Sequence, residues 1–148
     1  GSTDVYGVRL PLPEDSQPIV LGQVMNRKGE YNGDDIFYGM KHSDDEIATT
    51  NKKGANLNDP MMPVSWTKSY TVPGGKKGKV FTTTVGVATD MLIEGTRRLL
   101  VNSIFWGLDM EVPAKANVDF VGNYNPTAYG FRKDEYWNQK QLKVESFK

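Results

Sequence analysis

The sequence predicts an α/β domain, and three observations carry that prediction. Residues 18–25, PIVLGQVM, form a nearly continuous apolar run, the pattern of a strand buried on both faces. Residues 63–70, PVSWTKSY, and 80–86, VFTTTVG, read as two further strands joined by a short glycine-rich link, most simply an antiparallel hairpin. The segment MLIEGTRRLLVNSIFWGLDM then places apolar and small residues at helical spacing. Strand, polar loop and helix thus follow one another across Gly86, and such a switch is where α/β proteins place binding or catalytic groups.

Each element has its own local logic. Tyr6, Val8 and Leu10 alternate with Gly7 and Arg9, so the N-terminus is expected to be extended until Pro11 and Pro13. In the second strand Val64, Trp66, Lys68 and Tyr70 share one face, with Ser65, Thr67 and Ser69 on the other. VPGGKKGK is a hairpin turn with solvated lysines; it lacks the spacing of a phosphate-binding loop and precedes a strand. The helix is expected to present Thr96, Leu99, Leu100, Ser103, Ile104, Gly107 and Leu108 as one face, and Gly95 argues for a start at Glu94 or later.

Residues 26–60 are rich in Gly, Asn, Asp and Lys, without a sustained period, and read as a long loop or insertion. Residues 113–148 read as an irregular tail that wraps over a surface and pins itself with aromatics, with Val118, Phe120 and Val121 adding a short strand. The whole, 1–148, is expected to be one domain: 148 residues suffice for one core.

Composition removes several function classes. Lys plus Arg and Asp plus Glu both number 18, so the formal charge is zero and nothing favours a nucleic acid or an anionic membrane surface. No apolar run approaches the ~20 residues of a membrane span, and the N-terminal residues show no secretory leader pattern. Cysteine is absent and His42 is the single histidine. Thiolate chemistry is therefore excluded, and a histidine-based triad would have to use that one residue. Lys41 to Glu46, KHSDDE, with Asp34 and Asp35, has oxygens suited to a hard cation, but it lacks the EF-hand pattern and reads as a solvated loop. Neither a metal nor a cofactor is expected.

The loop from Gly86 to Asp90 has two readings. Gly86 marks a point of close backbone approach, with the helix start offered to a polar ligand; or it is a turn glycine, with Thr89 or Asp90 capping the helix.

In this order PMMPVSWTKSY, GKVFTTTVG and EGTRRLLVNSIFWGL resemble the C-terminal part of a ThuA-like domain. That family is named for trehalose utilisation and belongs to the class I glutamine amidotransferase-like superfamily. TDVYGVRLPLP, the NDPMMPV…WTK strand and the PAK-NVDFVG-Y-PT-YGF tail are similar to its planctomycete-type members, so the resemblance runs from about Thr3 to Phe131. It implies a partial flavodoxin-like three-layer sandwich: a mixed sheet with one main C-terminal helix and long loops, the first half of the domain lying outside this chain. Amidotransferase relatives place a catalytic histidine after the glycine that ends the strand equivalent to VFTTTVG. Here the pair is Gly86-Val87, so no catalytic residue carries over and glutamine hydrolysis is not expected. The resemblance implies a sugar or sugar derivative as ligand, with Thr84, Gly86, Thr89 and Asp90 as candidate contacts.

Two other readings stand beside it. The chain is part of an enzyme whose remaining residues lie in the absent half, or it is a non-catalytic carbohydrate- or protein-binding module that uses Trp66, Tyr70 and the aromatic tail. A homodimer through the exposed sheet edge or an apolar face is expected. Relatives of the planctomycete type are often secreted; the sequence itself assigns no compartment.

Overall fold

A computed structural model describes residues 3–27, 45–127 and 132–147. Three strands form an antiparallel sheet in the order β1 (Ser16–Gly22), β4 (Met62–Thr71) and β5 (Lys77–Thr83). A second, two-stranded antiparallel sheet pairs β2 (Met25–Arg27) with β3 (Asp45–Ile47). Two helices follow, α1 (Glu94–Gly107) and α2 (Asp134–Lys140). The chain is therefore a small α/β arrangement, and every ladder among the described residues is antiparallel.

The hairpin between β4 and β5 follows from its turn chemistry. Val72-Pro73-Gly74-Gly75 closes with the Gly75 N–H donating to the Val72 carbonyl at 2.9 Å, and Gly74 takes φ 74°. Proline followed by a glycine at positive φ makes a type II turn. The register then sets Trp66 opposite Thr82 and Thr67 opposite Phe81. Tyr70 lies opposite Gly78, where a Cβ would meet the tyrosine ring at 2.5 Å, so Gly78 makes room for that ring.

The sheet has two unlike faces. On one, Ile19, Thr67 and Phe81 line an apolar groove of about 210 Å³ together with Leu99, Asn102, Ser103 and Trp106 of α1. The inward stripe of α1 is thus Leu99, Asn102, Ser103 and Trp106. Ile104 and Leu108, expected inside, are 60% and 65% exposed. The C-terminal end of the helix explains the rotation. Lys79 Nζ donates to the Trp106 carbonyl at 2.9 Å, pairs with Asp109 and lies 5.0 Å from the Trp106 ring centroid, which draws Trp106 onto the sheet. Beyond Gly107, the Asp109 N–H reaches the Trp106 carbonyl and the Met110 N–H the Phe105 carbonyl, with Asp109 at φ 58°. This is a Schellman stop with aspartate in the left-handed position.

The second face is open towards the hairpin end. Trp66, Lys68 and Tyr70 of β4 share it with Thr82 and Val80 of β5, and Tyr70 and Val80 are exposed. Trp66, Lys68 and Thr82 are half-buried, and the end near Val64 is covered. There a side chain at Gly22 would collide with Val64 and with Val5 of the N-terminal segment. Buried apolar residues among those described are few: Ala48, Val64, Ala116 and Val118.

Three further expectations are corrected. The 18–25 run is not buried on both faces: β1 is a sheet edge, and Ile19, Val20 and Leu21 are exposed. Its pairing to β4 also slips between Pro18 and Leu21, since proline cannot donate to the ladder. Of the 26–60 segment, residues 28–44 lie outside those described, and the described flanks form the β2–β3 ladder. Asn58 ties it together: its Oδ1 accepts from the Val24 N–H at 2.7 Å, and its Nδ2 donates to the Val24 and Ala48 carbonyls. The 113–148 tail carries α2 and a 3-10 turn at Val144–Phe147. Residues 118–121 join no strand, because Arg97 takes the carbonyl that a ladder would use.

Candidate functional site

The loop that leaves β5 is built from paired polar groups. Ser65, fully buried, donates to Thr83 Oγ1 at 3.0 Å, and Thr83 Oγ1 in turn accepts from the Val85 N–H at 3.1 Å. Thr84 extends the ladder one step, its N–H reaching the Val64 carbonyl at 2.9 Å. The chain then makes a 3-10 turn at Ala88–Leu92, and α1 begins at Glu94 with Ile93 in extended geometry and no side-chain cap.

Asp90 sits at the centre of this turn with 0% exposure. Its carboxylate accepts from the Gly86 N–H at 3.2 Å and from the Thr3 hydroxyl, while its backbone joins Val87 and Ile93. A fully buried carboxylate needs such donors, because desolvation without them is costly. Asp90 therefore ties the loop, the helix entrance and the N-terminal segment together. Neither Thr89 nor Asp90 is an N-cap of α1.

The tail closes over the loop from outside. Tyr124 Oη donates to the Ala88 carbonyl at 2.7 Å, and the Tyr124 ring stacks on Phe120 at 4.9 Å. Arg97 joins these parts: Nε donates to the Val118 carbonyl and Nη1 to the Met91 carbonyl, each at 2.7 Å, and the guanidinium lies 4.0 Å from the Phe120 ring centroid. These contacts hold the described 118–124 part of the tail against the loop.

The five candidate contacts separate into two groups. Thr89 and Asp90 are buried beneath the turn. Thr84 pairs with Val64 and lies on the same open sheet face as Trp66, its diagonal neighbour across the strands. Gly86 is exposed at the rim, and a side chain placed there would meet nothing within 4 Å. So the loop offers Gly86 to solvent, while Thr84 is half-buried with its hydroxyl on the Val64 carbonyl at 3.4 Å, and Asp90 lies beneath both.

Most of the acidic 41–46 cluster, with Asp34, Asp35 and His42, lies outside the described residues. Among those described, no three His, Cys, Asp or Glu side chains gather as a metal site, and no helix is long and apolar enough to cross a membrane.

A second polar surface escaped the sequence reading. The 115–119 segment runs beside the first turns of α1, with Ala116 and Val118 buried and Lys115, Asn117 and Asp119 exposed. With Glu94, Arg97 and Arg98 they line an open groove of about 350 Å³. Arg98 pairs with Glu94 one turn earlier. That bond, reinforced by the charges of Arg98, Lys115 and Arg97, holds the Glu94 carboxyl below the usual carboxylate range. The alternation of small and polar residues in AKANVD was the available signal, but it needs the helix beside it to become a groove.

Comparison of the chain with family models, with curated proteins and with solved structures returns no match.

Proposed function

We propose that the chain is part of a ThuA-like domain of the class I glutamine amidotransferase-like superfamily. In this reading it contributes a sugar-binding surface and a scaffold, without amidotransferase chemistry of its own. Its sheet and helix would be the distal part of a flavodoxin-like sandwich, and the motifs that support the family are those in β4, β5, α1 and the tail. The observation that carries the functional part is the end of β5. Val87 stands where relatives place the histidine, no cysteine exists in the chain, and the carboxylate at hand, Asp90, is buried and engaged. A nucleophile–base pair cannot be assembled from these groups.

What the surface does present is Trp66, half-buried on the sheet face that ends in the exposed Tyr70, with Lys68 beside it on its strand, Thr82 opposite and Thr84 on the diagonal. An aromatic ring beside hydroxyl groups suits the apolar face and the edge hydroxyls of a sugar. Calorimetric titration with a panel of neutral mono- and disaccharides tests the reading. At least one sugar should bind, Trp66→Ala should weaken it about tenfold while the fold persists, and glutamine should release no ammonia. Ammonia release, or no binding across the panel, would overturn it.

A further inference from the structure

We propose that the groove between α1 and the 115–119 segment binds a small hydroxylated carboxylate, of the sugar-acid class, with Lys115 and Arg98 holding the carboxylate and Asp119 and Asn117 the hydroxyls. The site lies on a different surface from Trp66 and does not depend on the sheet-face reading.

The groups around the groove divide into those already engaged and those left open. Arg97 is engaged: two carbonyls and the Phe120 ring take up its guanidinium, and through Val118 it fixes the far wall. Arg98 spends Nη2 on Glu94 and its Nε is buried out of solvent contact, so its remaining Nη hydrogens are what it can offer the groove. Lys115 and Asp119 side chains make no hydrogen bond or ion pair among the described residues. Asn117 uses its Oδ1 on the Asp119 N–H at 2.9 Å, which leaves the amide donors open.

The open set is therefore one ammonium, the Arg98 Nη hydrogens that Glu94 leaves, one amide and the Asp119 carboxylate, with the engaged Glu94 carboxylate beside them, around a space of about 350 Å³. A bare anion would satisfy Lys115 and Arg98 but would face Asp119 with like charge. A neutral polyol would satisfy Asp119 and Asn117 but leave the ammonium unanswered. A molecule carrying a carboxylate at one end and hydroxyls along its length answers all four. Burial of Ala116 and Val118 holds Lys115, Asn117 and Asp119 facing outward together, so little ordering is needed on binding.

The test uses the full chain and four probes: gluconate, acetate, sorbitol and inorganic phosphate, titrated by calorimetry at low salt. Gluconate is expected to bind about tenfold or more tighter than each of the other three, since each of them leaves a groove group unanswered. Lys115→Gln and Asp119→Asn should each weaken gluconate about fivefold or more. Both side chains are exposed and without partners among the described residues, so melting temperatures should stay unchanged. Equal binding of acetate and gluconate, or of phosphate and gluconate, would overturn the proposal. So would the absence of gluconate binding, or gluconate binding that ignores both substitutions in folded protein.

Discussion

The loop after β5 and the open face of the sheet lie side by side, yet they are held by opposite means. The loop is almost all polar ties: Asp90 to Gly86 and Thr3, Tyr124 to Ala88, Arg97 to Met91 and Val118. The face is side chains with partial cover or none: Trp66 half-buried, and Tyr70 and Val80 exposed. Directional bonds between buried groups fix one geometry and penalise the loss of any member, whereas an uncovered face loses little when one side chain is trimmed. The region that carries the candidate site's shape is thus distinct from the region that carries its contact surface.

The sharpest way to break this contrast is to truncate one residue on each side of it. Asp90→Ala strands the Gly86 N–H and the Thr3 hydroxyl around a buried void and should cost about 3 kcal/mol of stability. Trp66→Ala removes a larger side chain from a half-exposed position and should cost about 1 kcal/mol. Urea unfolding, read as a shift in midpoint at constant slope, measures both. Equal losses would mean that the loop is no more tightly held than the face.

Next in size comes Arg97→Lys. A lysine keeps the charge but cannot serve the Met91 and Val118 carbonyls together and also lie flat on Phe120. The expected loss is about 2 kcal/mol. It should be accompanied by faster amide exchange and proteolysis in the 115–124 segment, ahead of any change in β4 and β5. Loosening spread evenly across the sheet would show that Arg97 stabilises the body and not the tail.

How much of this was legible in the sequence depended on whether the governing interaction is local. Pro73-Gly74 specifies its turn from two adjacent residues, so the β4–β5 hairpin could be read directly, and so could the start of α1 near Glu94. The inward stripe of α1 could not, because Lys79, a residue of another strand, rotates Trp106 onto the sheet. The β2–β3 ladder was hidden for a similar reason: Asn58 organises it from more than ten residues beyond its end. Asp90 was singled out from the sequence, but its burial depends on Thr3, 87 residues away, and no periodicity reports that. Apolar pattern alone also misjudged β1, since an antiparallel edge exposes residues that a parallel core would bury.

The smallest effect lies at the start of α1, and it probes polar ties from the exposed side. Glu94 hydrogen-bonds Arg98 one turn on, and its carboxyl lies below the usual range mainly through that bond. A folded-state value below the unfolded one means that the pair contributes stability above the ordinary carboxylate range. That contribution fades as pH falls through the folded-state value. Because Glu94 faces solvent, added salt should shrink the effect further. An NMR titration of the Glu94 carboxyl should show its midpoint displaced to lower pH, and Arg98→Met should return it towards the ordinary value. Replacing Arg98 also removes one donor from the groove, so Glu94→Gln is the cleaner partner experiment. It should erase the acid-side step in stability while leaving the Asp90 loop untouched. If Glu94→Gln destabilised the protein as much as Asp90→Ala, exposure would not be what separates a strong polar tie from a weak one here.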